Sequence, residues 1–129
     1  MLTLAVRNTT PYPNTYAKED LRTLARRVCA GERITENVEI SLWLCNDDQM
    51  RELNQRYRSE DAPTDVLSFA QEAPAVSMGE DTPRLLGDIA ISLDTVLGRC
   101  TDPKAIRSEV RLLFCHGLLH LLGYDHPTE

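Results

Sequence analysis

KAIRSEVRLLFCHGLLHLL, Lys104 to Leu122, is the stretch that decides the fold. Ile106, Val110, Leu113, Phe114, Leu118, Leu121 and Leu122 recur at helical steps but cover too much of the circumference for a surface stripe. A helix that is apolar on most sides belongs in the interior, wrapped by other elements. Gly123 suits a left-handed C-cap, after which Tyr124-Asp125-His126 leaves on a turned path. The rest of the chain must supply the layers around this helix.

Working outward, NVEISLWLC (37–45) alternates strictly. Val38, Ile40, Leu42 and Leu44 share one face, and Glu39, Ser41 and Trp43 the other, which is the mark of a half-buried strand. LTLAVRN (2–8), DVLSFA (65–70) and LGDIAIS (86–92) read as three further strands. Between Thr15 and Ala30, Leu21, Leu24, Ala25 and Val28 form a helix stripe, with Gly31 as its stop. Asn46-Asp47-Asp48 offers side-chain acceptors to the exposed amides of a helix over 47–57 that turns Met50 and Leu53 inward. Asp94 to Arg99 is a short helix, and the stretch with Pro74, Gly79 and Pro83 reads as a long surface loop. The order β-α-β-α-β-β-α-α predicts an α+β fold. Its centre is a single mixed sheet of about four strands, with the buried central helix and the other helices around it.

The 129 residues carry no repeat, low-complexity tract or linker, so one domain over residues 1–129 is expected. An apolar share of 42% with 26% charged excludes a disordered or fibrous chain. No apolar run reaches the roughly 18 residues of a membrane span. The N-terminus lacks the basic start and apolar core of an export signal, which predicts a cytoplasmic protein. Cys29, Cys45, Cys100 and Cys115 form no C-x-x-C pair and read as reduced thiols. Cys29, Cys45 and Cys115 lie in apolar segments, as small buried hydrophobes do. A formal charge of −6 argues against indiscriminate nucleic-acid binding. Twelve arginines still permit a local basic patch, around Arg22, Arg26 and Arg27 or around Arg51, Arg56 and Arg58.

All three histidines fall between 116 and 126, in the pattern H-x3-H-x5-H. His116 and His120, four apart on one helix, project from the same face a turn apart. The turn at Gly123 lets His126 return as a third ligand. Three imidazoles on a tetrahedral zinc leave one position open, which is a catalytic rather than a structural arrangement. Burying two such rings without a partner would strand polar nitrogens, which favours a metal over a packing role. In H-E-x-x-H peptidases a glutamate base follows the first histidine, whereas here that position is Gly117.

HGLLHLLGYDH (116–126) resembles the H-G-x-L-H-L-x-G-Y-D-H pattern of the YbeY endoribonucleases. Leu53-Asn54, Tyr57-Arg58, Asp61 and Pro63 to Phe69 resemble that family's L-N-x-x-Y-R-x-x-D-x-P-T-D-V-L-S-F, and Leu86-Gly87-Asp88-Ile89 resembles its L-G-D-I strand. The resemblance implies a zinc-dependent, single-strand-specific endoribonuclease of 16S rRNA 3′-end maturation and ribosome quality control. Its partners would be single-stranded RNA, ribosomal RNA or a ribosomal subunit, with no membrane and no DNA.

By the same resemblance one Zn2+ per chain sits on His116, His120 and His126, and Arg58 is the functional arginine. A guanidinium facing the metal suits a phosphate and the charge of its transition state. Asp65, Asp88 and Asp125 are expected as supporting residues: each could orient a ligand histidine, or Asp65 could fix a turn, Asp88 sit paired or at an edge and Asp125 be solvated, while Ser68 is an RNA contact or a backbone cap. RNA is expected in a cleft floored by a strand and capped by the histidine helix. Attack by a zinc-activated water and attack by the RNA 2′-hydroxyl both fit. Family chains usually continue past the last histidine, so a C-terminal extension is expected to be lacking here. Two other classes fit the histidines alone: a zinc hydrolase of peptides or small molecules, and a non-catalytic, zinc-stabilised ribosome-assembly module.

Overall fold

In the computed structural model, which describes residues 1–62, 64–71 and 84–124, the elements follow the expected order. They are β1 (Leu2–Asn8), α1 (Lys18–Gly31), β2 (Val38–Cys45), α2 (Asp47–Arg58), β3 (Val66–Ala70), β4 (Arg84–Ser92), α3 (Leu93–Arg99) and α4 (Pro103–Leu121). The surface loop expected around Pro74, Gly79 and Pro83 lies outside the described residues. No helix among the described residues is long and apolar enough to cross a membrane.

The strands form one mixed sheet in the order β1-β2-β4-β3. β1 runs parallel to β2 and β2 parallel to β4, while β3 is antiparallel to β4 at the edge. Parallel neighbours need a crossover, supplied by α1 for the first pair and by α2 with β3 for the second. The fold is therefore the expected α+β arrangement.

Alternation decides the two faces. Val38, Ile40, Leu42 and Leu44 of β2 are all buried in the larger core, together with residues of β1, α1, α3 and α4. Within α4, Val110, Phe114 and Leu118 are fully buried, as an interior helix requires. Leu112 is the exception, 63% exposed on the outer side. The opposite sheet face carries a smaller cluster of Cys45, Met50, Leu67 and Ala90, with Trp43, Leu53 and Phe69 packed against it.

β4 breaks the alternation. Glu39 pairs with Leu85 and Ile40 with Gly87, so Leu86 is the extra residue of a bulge. That extra residue lets Leu86 and Ile89, three apart, face the same core. Gly87 has φ +153°, and a Cβ there would run into the Phe69 carbonyl oxygen and lie 2.6 Å from Leu121 Cδ2. Gly117 of α4 is also tight, since its Cβ would stand 2.8 Å from Ile89 Cγ2. Two glycines thus allow α4 to lie directly on β4.

The caps follow the residues. Asn46 and Gln49 form a reciprocal capping box on α2. Asp102 caps α4 ahead of Pro103. Gly123 takes the left-handed conformation expected of it, φ +98°. α1 differs at both ends. Thr15 is buried and donates its hydroxyl to the Tyr12 carbonyl, so it belongs to the preceding turn. At the other end Gly31 stays helical and Arg33 takes the left-handed turn, φ 59°, as Ile34 N–H donates to the Cys29 carbonyl.

All four cysteines are free. Cys29 and Cys45 are buried as expected, whereas Cys115, one step past Phe114, falls off the buried stripe and is half-buried.

Two outcomes follow from this packing. An alanine at 117 gains about 1 kcal/mol of helix propensity but overpacks a stiff β-branched neighbour at about 1–3 kcal/mol. Gly117→Ala should therefore lower the urea midpoint, and Gly87→Ala should lower it further. A raised midpoint for either would contradict the close approach. Burial, reinforced by Asp47 and Asp94, pushes the Cys45 thiol from 9.0 up to about 12. The folded state thus holds this proton more tightly. The resulting stability is whole below about pH 9 and drains away as pH rises towards 12. Urea titrations across that range should show a shallower alkaline decline in Cys45→Ala than in the parent chain.

Candidate active-site cleft

His116 and His120 sit on the outer side of α4's last turns, both half-buried. Their Nε2 atoms are 3.2 Å apart and their ring centroids 4.8 Å apart. They face a cleft of about 560 Å³ between α4, the edge strand β3 and the end of α2, which Arg58, Glu60, Ser68 and Arg99 also line.

Arg58 reaches this cleft because α2 stops there. It is the helix's last residue, and Ser59 follows in the left-handed conformation, φ 58°, donating its N–H back to Gln55. The turn after it is held by Asn54. That side chain is buried, Nδ2 donates to the Ala62 carbonyl at 2.8 Å, and the Asn54 carbonyl accepts from Glu60 N–H. Sequence reasoning gave Asn54 no role. The signal was its position four residues after Met50, a polar side chain on a buried stripe.

The carboxylates sort the arginines. Asp61 pairs with Arg51 at 3.9 Å and Glu52 with Arg56 at 3.1 Å. Of the candidate patch at 51, 56 and 58, only Arg58 has no carboxylate partner among the described residues. Glu19 likewise holds Arg22. Arg99, unremarked in the sequence, is clamped between Asp65 at 3.0 Å and Glu109 at 3.4 Å. Asp65 is therefore at the cleft, but its ionic partner is an arginine, and its carbonyl accepts from Ser92 N–H.

Asp88 is not brought to the histidines. The bulge at Leu86 moves it to the face opposite α4, beside Gln71 Nε2 at 3.4 Å. Asp88 thus lines the opposite side of the sheet from His116 and His120. Ser68, one residue before Phe69, faces the cleft as a strand's alternation requires. Asp125 and His126 lie outside the described residues.

The histidine pair suits a metal ion. Two nitrogens bound at about 2.0 Å to one tetrahedral ion stand about 3.3 Å apart, against the 3.2 Å found. Among the described residues no group of three His, Cys, Asp or Glu forms such a site, so the pair needs a ligand from beyond them.

Fold and cleft together define an α+β protein in which paired imidazoles and an arginine line a polar cleft at a sheet edge. Residues 5–129 match the family described as Endoribonuclease YbeY. Endoribonuclease YbeY of Geobacillus thermodenitrificans is 40% identical over 116 residues, covering 86% of this chain and 74% of that protein. The one from Roseiflexus castenholzii is 46% identical over 110 residues, 81% of this chain and 69% of that protein. The solution structure of TM1509 from Thermotoga maritima is similar at TM-score 0.52 and 28% identity, covering all of this chain and 77% of that one. The chain belongs to the YbeY endoribonuclease family.

Asn54→Ala would leave the Ala62 carbonyl without its donor and open a small void. A loss of about 1–3 kcal/mol in unfolding free energy is expected from urea titration; an unchanged value would mean the loop is held by other contacts.

Proposed function

We propose that the protein is a zinc-dependent endoribonuclease that cuts single-stranded RNA, acting in the cytoplasm on ribosomal RNA in 3′-end maturation and ribosome quality control. The observation that carries this reading is the pairing of two Nε2 atoms 3.2 Å apart with Arg58 across one cleft. His116 and His120, with His126, would hold the zinc. When bound, zinc supplies Lewis acidity to the cleft. Arg58 binds non-bridging phosphate oxygens and takes up the charge that grows on them in the transition state. Ser68 donates to the phosphate or ribose. Arg99 is fixed at the far wall by Asp65 and Glu109, which neutralise it, so it does not compete for the phosphate. Asp125, next to His126 in the chain, is the remaining candidate to orient a ligand ring.

A peptidase reading is disfavoured by position 117. The glutamate base of H-E-x-x-H enzymes would stand there, and Ile89 leaves no room for even a Cβ.

Purified protein should contain one zinc per chain and cut a single-stranded RNA in a chelator-sensitive way. His116→Ala and His120→Ala should lose both metal and cleavage. Arg58→Ala should keep its zinc while the rate falls about 10²–10³-fold, as for loss of one transition-state donor. Cleavage at the parental rate by zinc-free His120→Ala would overturn the assignment. The products identify the nucleophile, since a 2′,3′-cyclic phosphate marks attack by the 2′-hydroxyl.

A further inference from the structure

Among the described residues, the sheet face opposite α4 is only partly covered. α2 packs over Leu67 and Ala90, and beyond it a second cleft of about 530 Å³ opens on β1, β2 and β4. The register sets its floor. Arg7, Trp43 and Ala90 stand side by side in one row across the sheet, and Ala5, Ser41, Asp88 and Phe69 in the next. Small residues at 5, 41 and 90 make a trough with an aromatic at each side. The chain has one Trp, four Tyr and two Phe, and Trp43, Tyr57 and Phe69 all line this trough.

These rings are set rather than loose. Trp43 Nε1 donates to Thr9 Oγ1 at 2.9 Å, and the Arg7 guanidinium lies 5.3 Å from the indole centroid. Tyr57 is 59% exposed yet held against Phe69, with centroids 5.1 Å apart. Asp88 and Gln71 add polar groups between them. A purely apolar partner would strand those groups and Arg7. Nucleobases offer π-faces to the rings, hydrogen-bonding edges to Asp88 and Gln71, and a phosphate to the cation.

The trough and the histidine cleft lie on opposite faces of the sheet and border each other along its edge. Tyr57 lines one and Arg58 the other; Phe69 lines one and Ser68 the other. Both clefts therefore meet at the edge strand β3 and the end of α2. We infer that the open sheet face is a base-stacking platform for the same single-stranded RNA whose phosphate enters the histidine cleft. One base stacks on the Trp43–Arg7 unit and another on the Tyr57–Phe69 pair. This inference rests on the proposed endoribonuclease activity, and its test separates the two.

Trp43 is the only tryptophan, so intrinsic fluorescence reports on this face alone. An oligoadenylate of about twelve nucleotides, titrated in the presence of chelator, should quench it saturably. Arg7→Ala and Tyr57→Ala should each weaken binding about tenfold, the loss of one stacked base. Tyr57→Leu, which keeps apolar bulk against Phe69, should weaken it similarly and so separates stacking from packing. Arg107→Ala, on an exposed position of α4, should bind like the parent. Cleavage of single-stranded RNA is assayed separately. Cleavage without quenching, and with binding unmoved by the Arg7 and Tyr57 variants, overturns the platform and leaves the nuclease. Quenching that these variants weaken, in a protein that cuts no RNA, upholds the platform and removes the nuclease. Binding of a protein partner that excludes RNA from Trp43 would also overturn it.

Discussion

The contact between Gly117 and Ile89 is the constraint on which the rest depends. Without a Cβ at 117, α4 comes down onto β4 until the helix backbone meets a β-branched side chain. Gly87 makes the matching concession on the strand, below Leu121 and beside the Phe69 carbonyl. Between these two points the helix has little freedom to slide or roll, because a packed interior resists displacement in either direction. His116 precedes Gly117, and His120 precedes Leu121. The ring pair is thereby fixed relative to β3, where Ser68 stands, and to the end of α2, where Arg58 stands. A glycine that in another histidine helix would be a catalytic glutamate is here a spacer for packing.

The second determinant is what the carboxylates leave over. A chain at −6 is a poor candidate for binding polyanions by bulk charge. Yet Arg22, Arg51, Arg56 and Arg99 are each held by an acid, whereas Arg58 has no carboxylate partner among the described residues. Exposed pairs of this kind add little stability, so their consequence is mainly electrostatic. Within the patch at 51, 56 and 58 they neutralise Arg51 and Arg56, outside the cleft, and leave Arg58, inside it, without an ion pair among the described residues. The net charge is a property of the whole surface, whereas a phosphate samples only the region within about a Debye length, roughly 8–10 Å.

Much of this was legible in the chain because it is local. Alternation in 37–45, the Asn46 and Gly123 caps, and the wide apolar girth of 104–122 each depend on neighbours a few residues away, and each appears where the periodicity places it. The i, i+4 spacing of His116 and His120 likewise dictates one face. What failed to show was set by distant contacts. Period two counted from Leu86 puts Asp88 on the core side, and only the bulge opposite Glu39 and Ile40 reverses it. The pairing of Asp65 with Arg99 depends on where the end of α3 falls, 34 residues further along the chain. α1 does end at Gly31, but the left-handed turn expected of that glycine falls at Arg33, where the bond from Ile34 to Cys29 sets it.

The reversal of Asp88 also bears on how the two faces of the sheet divide their work. Had it faced α4, a carboxylate would stand under the histidine helix beside Ile89 and Ile91, where an unpaired charge is costly. On the other face it lies next to Gln71 and between Ser41 and Phe69 in register, where its oxygens can accept from a base edge. The single inserted residue at Leu86 thus does two things at once. It keeps the α4 side of β4 apolar enough to bury the helix, and it keeps the open side polar enough to discriminate among what settles on it. Edge strand β3 then joins the two, because consecutive residues of a strand must look to opposite faces. Ser68 and Phe69 obey that rule, as do the clefts they line.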